Sequence, residues 1–191
     1  MARPPVIVSS SVERWTYLTR PSEQLRYAVI ASLLKSLAPP GRVVELGSGH
    51  GHLLAWLDPA QVSAYEAVDI DAGLLSGLRH DRIEVTRKAQ AVERYQPPAG
   101  PLAALVASEV LYYVEDPGRH LDRLWRATGA IDLVLISSVL PRPDKPNWRT
   151  GYERVRRAVA GTGWPVLDRV RIDSESDRLA WEIVALTPGA T

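Results

Sequence analysis

Apolar residues recur every three or four positions along the segment that begins at Pro21 and ends before Pro39. The members of this set are Leu25, Val29, Ile30, Leu33, Leu34 and Leu37. This spacing predicts an amphipathic helix, which begins at Pro21-Ser22-Glu23. The Ala-Pro-Pro-Gly sequence at residues 38–41 predicts its end.

Strands and helices are predicted to alternate from Arg42 to Ser137. Short apolar, often β-branched runs predict strands at Arg42–Leu46, Ala64–Ile70, Ile83–Thr86, Ala103–Ala107 and Ile131–Ser137. Helices are predicted at His52–Leu57, Ala72–Arg79 and Pro117–Ala127. Strands that alternate with helices give right-handed crossovers, and so we expect an open α/β fold with a parallel sheet.

The alternation of predicted strands and helices ends after Pro141. A polar loop precedes a predicted helix near Tyr152–Ala160, and strands near Val166–Ile172 and Leu179–Leu186 follow. Only the six residues Asp173–Arg178 separate these two strands. Because that connection is too short for a helical crossover, we expect an antiparallel hairpin.

A glycine-rich turn, Gly47-Ser48-Gly49-His50-Gly51, joins the first strand to the helix that follows it. Ligands of open α/β sheets bind at such strand ends, and this turn is suited to a dinucleotide or to another adenosine compound. The dinucleotide pattern G-x-G-x-x-G fails at His52, since the glycines fall as G-x-G-x-G. Glu45 would also repel a pyrophosphate, and so the pattern favours the other adenosine compounds.

Asp69 ends the second strand. A carboxylate at this position can accept two hydrogen bonds from a ribose diol, as the acid about 20 residues after a glycine turn does in dinucleotide-binding proteins. The alternative is a cap or turn residue. Asp71 is better placed to cap the next helix.

Three motifs in order resemble the class I S-adenosylmethionine-dependent methyltransferases, over about Val43 to Ser137. They are ELGSGHG at residues 45–51, VDID at residues 68–71, and the segment Leu105–Pro117. The length, the EVLYY run at residues 109–113 and the segment Asn147–Glu153 look most like the small nodulation-S-type N-methyltransferases. The resemblance implies a Rossmann-like, seven-stranded, mostly parallel sheet with helices on both faces and an antiparallel last strand.

The resemblance also implies a cofactor site for S-adenosylmethionine. The residues around the methionine part would be Glu45, Gly47, Ser48, Gly49 and Gly51. Asp69 would hold the ribose and Ile70 would pack on the adenine, while Ser108 at the end of the fourth strand completes the predicted set. Gln90 stands where family members carry an acid for the adenine amine, and a neutral acceptor there is weaker. The Asp that often begins the fourth strand is also replaced, near Ala103-Ala104.

The candidate catalytic residues, Glu109 and Tyr112, follow the fourth strand together with Tyr113. Methyl transfer needs the nucleophile held in line with the methyl group and water excluded. An amine only needs to be unprotonated, whereas a hydroxyl needs a general base. Glu109, at the carboxyl end of the fourth strand, can face the transferred methyl group. The alternative for Glu109 is a cap or salt-bridge residue, and one of the two tyrosines is expected in the core.

No metal is predicted. His50 and His52 lie two residues apart on a tight turn and do not converge on one ion, and His120 lies among leucines on a predicted helix. The E-x-x-E-H metal set of bacterial RNA-end methyltransferases is missing from residues 109–113.

Composition and charge exclude several function classes. The chain has 191 residues, no Cys and a net charge of +1, which excludes thiol catalysis and argues against a dedicated nucleic-acid binder. No apolar stretch is long enough to span a bilayer, and the N-terminus lacks the apolar run of a signal peptide. We therefore expect a cytoplasmic protein.

Two further features leave alternatives open. Residues 142–157 carry six basic and two acidic side chains, which fits a solvated helix face or a rim for an anionic substrate. Residues 1–40 are predicted as an N-terminal arm and helix, in which Trp15 and Tyr17 either form an active-site lid or pack on the core. Residues 41–191 are predicted as the cofactor-binding domain.

Three functions follow in order of preference. The first is methyl transfer from S-adenosylmethionine to a small molecule, with an amine favoured over a hydroxyl. The second is RNA or protein methylation through the basic segment. The third is a non-catalytic cofactor-binding or partner protein, because the adenine acid is missing.

Overall fold

Seven strands form one sheet in the computed structural model, which describes residues 18–188. The strands are β1 (Gly41–Leu46), β2 (Val62–Asp69), β3 (Glu84–Ala89), β4 (Leu102–Ser108), β5 (Ile131–Val139), β6 (Val166–Ser174) and β7 (Leu179–Leu186). Their order is β3-β2-β1-β4-β5-β7-β6. Strands β1 to β5 are parallel, and β7 runs antiparallel to both β5 and β6. The predicted seven-stranded sheet with an antiparallel last strand is confirmed.

Helices cover both faces of the sheet. They are α1 (Pro21–Leu37), α2 (Ala72–Leu75), α3 (Pro117–Thr128) and α4 (Pro146–Gly161), with 3₁₀ helices at His52–Trp56, Val92–Arg94 and Leu111–Tyr113. Neighbouring residues of β1 point to opposite faces, so that Val43 packs in the same core as α1 while Val44 packs in the core of α3 and α4. None of the helices in the described range combines the length and hydropathy that a membrane span requires.

Three of the predicted helices differ from the structure in length or type. Helix α4 begins at Pro146, well before the predicted start near Tyr152, so that part of the predicted polar loop is helical. Helix α2 ends at Leu75 instead of Arg79, where the Ser76 hydroxyl donates to the Gly73 carbonyl at 2.8 Å and Gly77 follows. Glycine is a poor helix former, which accounts for the short helix. The segment predicted as helix at residues 52–57 is a short 3₁₀ helix.

The register of the parallel strands brings several carboxyl ends to one edge. Leu46 pairs with Val68 on one side and Ala107 on the other, and Ser108 pairs with Ser137. The chain leaves β1 toward β2 on one side and β4 lies on the other, which makes this edge the topological switch point. Residues that follow β1, β2 and β4 are therefore neighbours in space.

Gly51 gives a first prediction, on stability. Its φ is 68°, and an added Cβ would lie 1.9 Å from Leu78 Cδ2. For Gly51→Ala we expect a loss of about 1–2 kcal/mol from the left-handed backbone and about 1–3 kcal/mol more from the clash. Chemical denaturation measures the summed loss in the free energy of unfolding.

Gly49→Ala is the matched control for Gly51→Ala. Gly49 also has a positive φ, 53°, but an added Cβ would meet nothing within 4 Å. We therefore expect this control to lose only the backbone contribution. Equal losses in the two variants would show that Leu78 does not require the glycine at position 51.

Candidate active site

The glycine turn ties the end of β1 to the end of β2. The backbone N–H groups of Gly47 and Ser48 both donate to the Val68 carbonyl, at 2.8 and 3.1 Å. Gly47, Gly49 and Gly51 all have positive φ values, which glycine adopts without the strain that a side chain brings. An added Cβ at Gly47 would collide with Val110, whereas the space beside Gly49 is open. The backbone at Gly49 is thus the part of the turn that a ligand can approach most closely.

Asp69 lies directly against this turn. Its carboxylate accepts hydrogen bonds from the backbone N–H of Gly49 at 2.9 Å and of Asp71 at 3.0 Å. The Gln90 N–H donates to the Asp69 carbonyl at 2.8 Å, and the neighbouring Ile70 is 53% exposed although apolar. The structure therefore brings together the residues predicted to hold a ribose and an adenine.

Ser48 carries a buried polar atom that has no partner. The residue is 5% exposed, and its hydroxyl oxygen has no hydrogen-bond partner among residues 18–188. Buried polar groups in native proteins are almost always hydrogen-bonded, and an exception calls for an explanation. A hydroxyl in this state, beside the open backbone of Gly49, fits a polar ligand at the turn.

Glu45 lies beneath the turn and not on its surface. It is 1% exposed, and its carboxylate accepts a hydrogen bond from the Tyr65 hydroxyl. Burial raises the pKa of Glu45 from 4.5 to about 7, against the opposing effects of the Tyr65 hydrogen bond and of Arg26. Glu45 therefore supports the turn from below.

Glu109 follows β4 with a positive φ of 57°, which is uncommon for any residue other than glycine. Its carboxylate accepts three hydrogen bonds, from the Ser137 hydroxyl at 2.9 Å, the Val139 N–H at 3.0 Å and the Tyr112 hydroxyl at 3.3 Å. Burial raises the pKa of Glu109, and Arg26 opposes this rise. Strained backbone of this kind concentrates at functional sites.

Tyr112 and Tyr113 form an aromatic pair beside this carboxylate. Their ring centroids lie 4.6 Å apart, and Tyr113 is 57% exposed. An added Cβ at Gly151 would lie 3.0 Å from the Tyr112 Cβ, so the glycine lets α4 pack closely against Tyr112. Of the two tyrosines, Tyr112 is the more enclosed, which agrees with the prediction that one of them belongs to the core.

A sequence model of the methyltransferase domain family matches residues 19–172 of this chain. The chain belongs to the methyltransferase domain family. No curated protein sequence gives a significant match to this methyltransferase.

Solved structures of other methyltransferases share its fold. N-methyltransferase NodS from Bradyrhizobium japonicum WM9, in complex with S-adenosyl-L-homocysteine, is 15% identical over 93% of each chain, with a TM-score of 0.69. Magnesium protoporphyrin IX methyltransferase from Synechocystis PCC 6803, with bound S-adenosylmethionine, is 14% identical over 94% of this chain and 86% of that one, with a TM-score of 0.64. An S-adenosylmethionine-dependent methyltransferase from Geobacter sulfurreducens is 16% identical over 86% and 91%, with a TM-score of 0.62.

Family membership confirms the predicted methyltransferase enzyme. The predicted cofactor, S-adenosylmethionine, agrees with the family and with the fold shared with structures that hold it or its product. The orphaned Ser48 hydroxyl, the open backbone of Gly49 and the carboxylate of Asp69 fit such a ligand.

Helix α1 contributes buried charges to the methyltransferase that the sequence analysis missed. Arg26 is 1% exposed and bonds both to Glu23, at 2.8 Å, and to the hydroxyl of Ser108. Ser108, predicted to contact the cofactor, is thus engaged with α1. The sequence contains one indication of this buried pair. Glu23 and Arg26 are three residues apart, which makes them neighbours on the face of α1 that also carries the buried Ile30.

The histidines of the methyltransferase lie in different surroundings in the described part of the chain. His50 and His52 have ring centroids 6.0 Å apart, and among residues 18–188 no group of three His, Asp or Glu side chains could hold a metal ion. His120 is buried on α3, and burial lowers its pKa to about 4, which keeps the ring neutral.

The basic segment lies on and before α4. Arg142 forms an ion pair with Asp144 at 2.7 Å, and Arg154 donates to the Val114 carbonyl at 3.2 Å. The other basic side chains, Lys145, Arg149, Arg156 and Arg157, are exposed. The predicted lid residues Trp15 and Tyr17 lie outside the described residues.

The buried carboxyl of Glu45 gives a pH-dependent prediction. Because the pKa of Glu45 is raised to about 7 in the folded protein, the folded state disfavours ionisation that the unfolded chain undergoes near pH 4.5. The wild type is therefore expected to lose stability relative to Glu45→Gln as the pH rises from about 4.5 to 7, with no further loss above pH 7. The total is on the order of 3 kcal/mol. Denaturation of both proteins at pH 4.5, 6 and 8 measures this loss. A difference in the free energy of unfolding between wild type and Glu45→Gln that stays the same at all three pH values would contradict the burial argument.

Proposed function

We propose that this methyltransferase transfers a methyl group from S-adenosylmethionine to an amine of a small molecule. The observation that carries this proposal is the carboxylate of Glu109, held between the ends of β4 and β5 beside Tyr112 and Tyr113. It lies at the same sheet edge as the glycine turn, so that one edge offers both a nucleoside site and an acid. NodS, whose fold is shared, is described as an N-methyltransferase.

The proposed cofactor contacts divide between three strand ends. Asp69 accepts from the ribose hydroxyls, Ile70 packs on the adenine, and the Gln90 amide carbonyl accepts from the adenine amine. Ser48 and the backbone of Gly49 hold the methionine part, which supplies the polar partner that the Ser48 hydroxyl lacks. When bound, this cofactor provides a methyl group on a positively charged sulfonium.

Glu45, Gly47 and Gly51 support the cofactor by shaping the turn. Gly47 and Gly51 leave room for Val110 and Leu78, while Glu45 is hydrogen-bonded to Tyr65 underneath. Their proposed contribution is therefore the geometry of the backbone that meets the ligand.

An amine acceptor suits the chemistry of Glu109. An amine is mostly an ammonium ion at neutral pH, and it must lose a proton before its lone pair can attack. Burial raises the pKa of the Glu109 carboxyl, which makes its carboxylate a better proton acceptor than an exposed one. The tyrosine faces beside it favour a bound cation. An alcohol would need a far stronger base.

Matched acceptor pairs test the amine proposal. Each pair contains a primary amine and the alcohol of the same carbon skeleton, and S-adenosylhomocysteine formation is measured at a fixed enzyme concentration. We expect turnover with amines from the panel and none with their alcohols. Turnover with the alcohols alone would overturn the amine assignment.

The Gln90 position gives a prediction about affinity. If its amide accepts from the adenine amine, Gln90→Asp restores a charged acceptor and is expected to tighten S-adenosylhomocysteine binding about tenfold. Gln90→Ala is the control and is expected to weaken binding. Calorimetry measures both, and a loss of affinity in the Asp variant would place the Gln90 side chain away from the adenine.

The start of helix α1 is bonded to two distant parts of the chain. Arg20 and Ser22 both bond to Asp177 in the β6–β7 turn, and Gln24 accepts from the Trp56 indole at 3.1 Å. These contacts anchor the described part of the predicted N-terminal region, residues 1–40, to the cofactor-binding domain.

A further inference from the structure

Arg26 is a buried cation at the catalytic edge of the sheet, and the cofactor and base assignments leave it without a role. Its guanidinium donates through Nε and Nη2 to one oxygen of Glu23, at 3.0 and 2.8 Å. A third nitrogen, Nη1, donates to the hydroxyl of Ser108. The same guanidinium lies 4.3 Å from the centre of the Tyr27 ring.

Burial of this ion pair needs an explanation beyond stability. Replacing a buried ion pair with well-packed apolar residues is often neutral or stabilising, because both charges lose their hydration. Leucine and isoleucine occupy the next positions on the same face of α1. The stability of the core therefore does not explain why a charged pair lies here, and a role at the catalytic edge of the sheet does.

The position of Arg26 connects α1 to Glu109. Its partner Ser108 is the last residue of β4, and Glu109 follows with a strained, left-handed backbone. Burial raises the pKa of the Glu109 carboxyl, Arg26 acts against this rise, and Glu23 adds to it.

Other charged or titratable groups also face Glu109 and Arg26. Around Glu109 these are the hydroxyl groups of Tyr112 and Tyr113, and around Arg26 they are Tyr27, Glu45 and His52. Among these groups, Arg26 is the cation that lowers the pKa of Glu109.

We propose that Arg26 is a positioning residue: by bonding to Ser108, the last residue of β4, it ties helix α1 to the backbone turn at Glu109 and places a buried positive charge near that turn. This inference rests on the proposed function, since Glu109 is the group that Arg26 acts on. It follows that docking of α1 and proton acceptance by Glu109 are coupled.

The test compares Glu23→Gln with the double variant Glu23→Gln/Arg26→Gln. Both lack the Glu23 charge, so the pair isolates the charge of Arg26 and leaves no unpaired carboxylate behind. The Glu109 side-chain carboxyl is followed by ¹³C NMR titration and assigned with Glu109→Gln. Arg26→Lys, which keeps the charge, shows whether charge or shape matters if the double variant folds poorly.

We expect the titration midpoint of Glu109 to rise by about one unit of pH or more when the Arg26 charge is removed. Because turnover needs the ionised carboxylate, the acidic limb of kcat/KM with the best amine from the panel is expected to move to higher pH by the same amount. Arg26→Lys is expected to keep both midpoints near the wild-type values.

An equal Glu109 midpoint in Glu23→Gln and in the double variant would overturn the inference, and so would a raised midpoint in Arg26→Lys. Weaker S-adenosylhomocysteine binding in the double variant with an unchanged midpoint would also overturn it, by making Arg26 a ligand contact. A raised midpoint without a change in the acidic limb supports the effect of Arg26 and instead overturns the role of Glu109 as base. The two failures are therefore distinguishable.

Discussion

Replacing Glu109 with glutamine is expected to lower turnover by about 10²–10⁴-fold while cofactor affinity stays nearly constant. The carboxylate can take a proton from the acceptor, and the amide cannot. The residue lies on the proposed substrate side of the methyl group, which is why its loss is not expected to weaken cofactor binding.

Glutamine can satisfy the neighbours of Glu109 without a change of fold. One carboxylate oxygen accepts from both the Val139 N–H and the Tyr112 hydroxyl, and the other accepts from the Ser137 hydroxyl. The amide carbonyl can take the first place, and the amide NH₂ can donate to Ser137, whose hydroxyl also accepts. Equal melting temperatures would verify that the variant isolates the charge.

The pH profile separates a base from a binding residue. Burial raises the pKa of Glu109. If Glu109 is the base, turnover falls as the pH drops below that pKa, and this fall is the acidic limb of the profile. The limb is expected to disappear in Glu109→Gln. A smaller loss that lies mainly in KM would indicate a site for a substrate cation. Unchanged turnover at every pH would make Glu109 structural and Tyr112 the next candidate.

Removal of the Asp69 carboxylate is expected to weaken S-adenosylhomocysteine binding about 10- to 150-fold. This is the loss of a charged hydrogen-bond acceptor worth about 1.5–3 kcal/mol. The test variant is Asp69→Ala, and calorimetry measures the affinity. Because Asp69 also accepts from the Gly49 N–H, Asp69→Asn serves as a variant that keeps an acceptor for the turn.

Asp71→Ala is the matched control for Asp69. Asp71 lies two residues further on and accepts from the Gly73 N–H at 2.8 Å, so it caps the start of α2. Its loss is expected to lower stability by about 0.5–2 kcal/mol and to leave affinity unchanged. Equal affinities for wild type and Asp69→Ala would remove Asp69 from the site.

Much of the fold was predictable because each element carries its own local signal. The alternation of apolar runs and helical segments gave the parallel part of the sheet, and the short connection at residues 173–178 gave the antiparallel hairpin. Asp69 was predicted at a ribose from its place after the glycine turn, and the family resemblance implied that Gln90 meets the adenine of the same ligand. The pairing of β2 with β3 places the two residues side by side. Local signals of this kind depend on few neighbours in space.

The features that were not predicted depend on contacts between distant segments. Arg26 bonds to Ser108, 82 residues away, and no spacing rule within α1 indicates that partner. Two of the three hydrogen bonds to the Glu109 carboxylate come from β5. The EVLYY sequence alone therefore could not predict the partners of this carboxylate. The predicted helix α2 was too long because the apolar pattern continues to Leu78. The Leu78 side chain instead packs against Gly51 in the glycine turn.

The most direct test of the central claim is a crystal structure of the protein with S-adenosylhomocysteine. The account predicts ribose hydroxyls within hydrogen-bond distance of the Asp69 carboxylate, the methionine part at Ser48 and Gly49, and the sulfur directed toward Glu109 and Tyr112. Absence of the ligand from the glycine turn at a saturating concentration, or a sulfur directed away from Glu109, would contradict it.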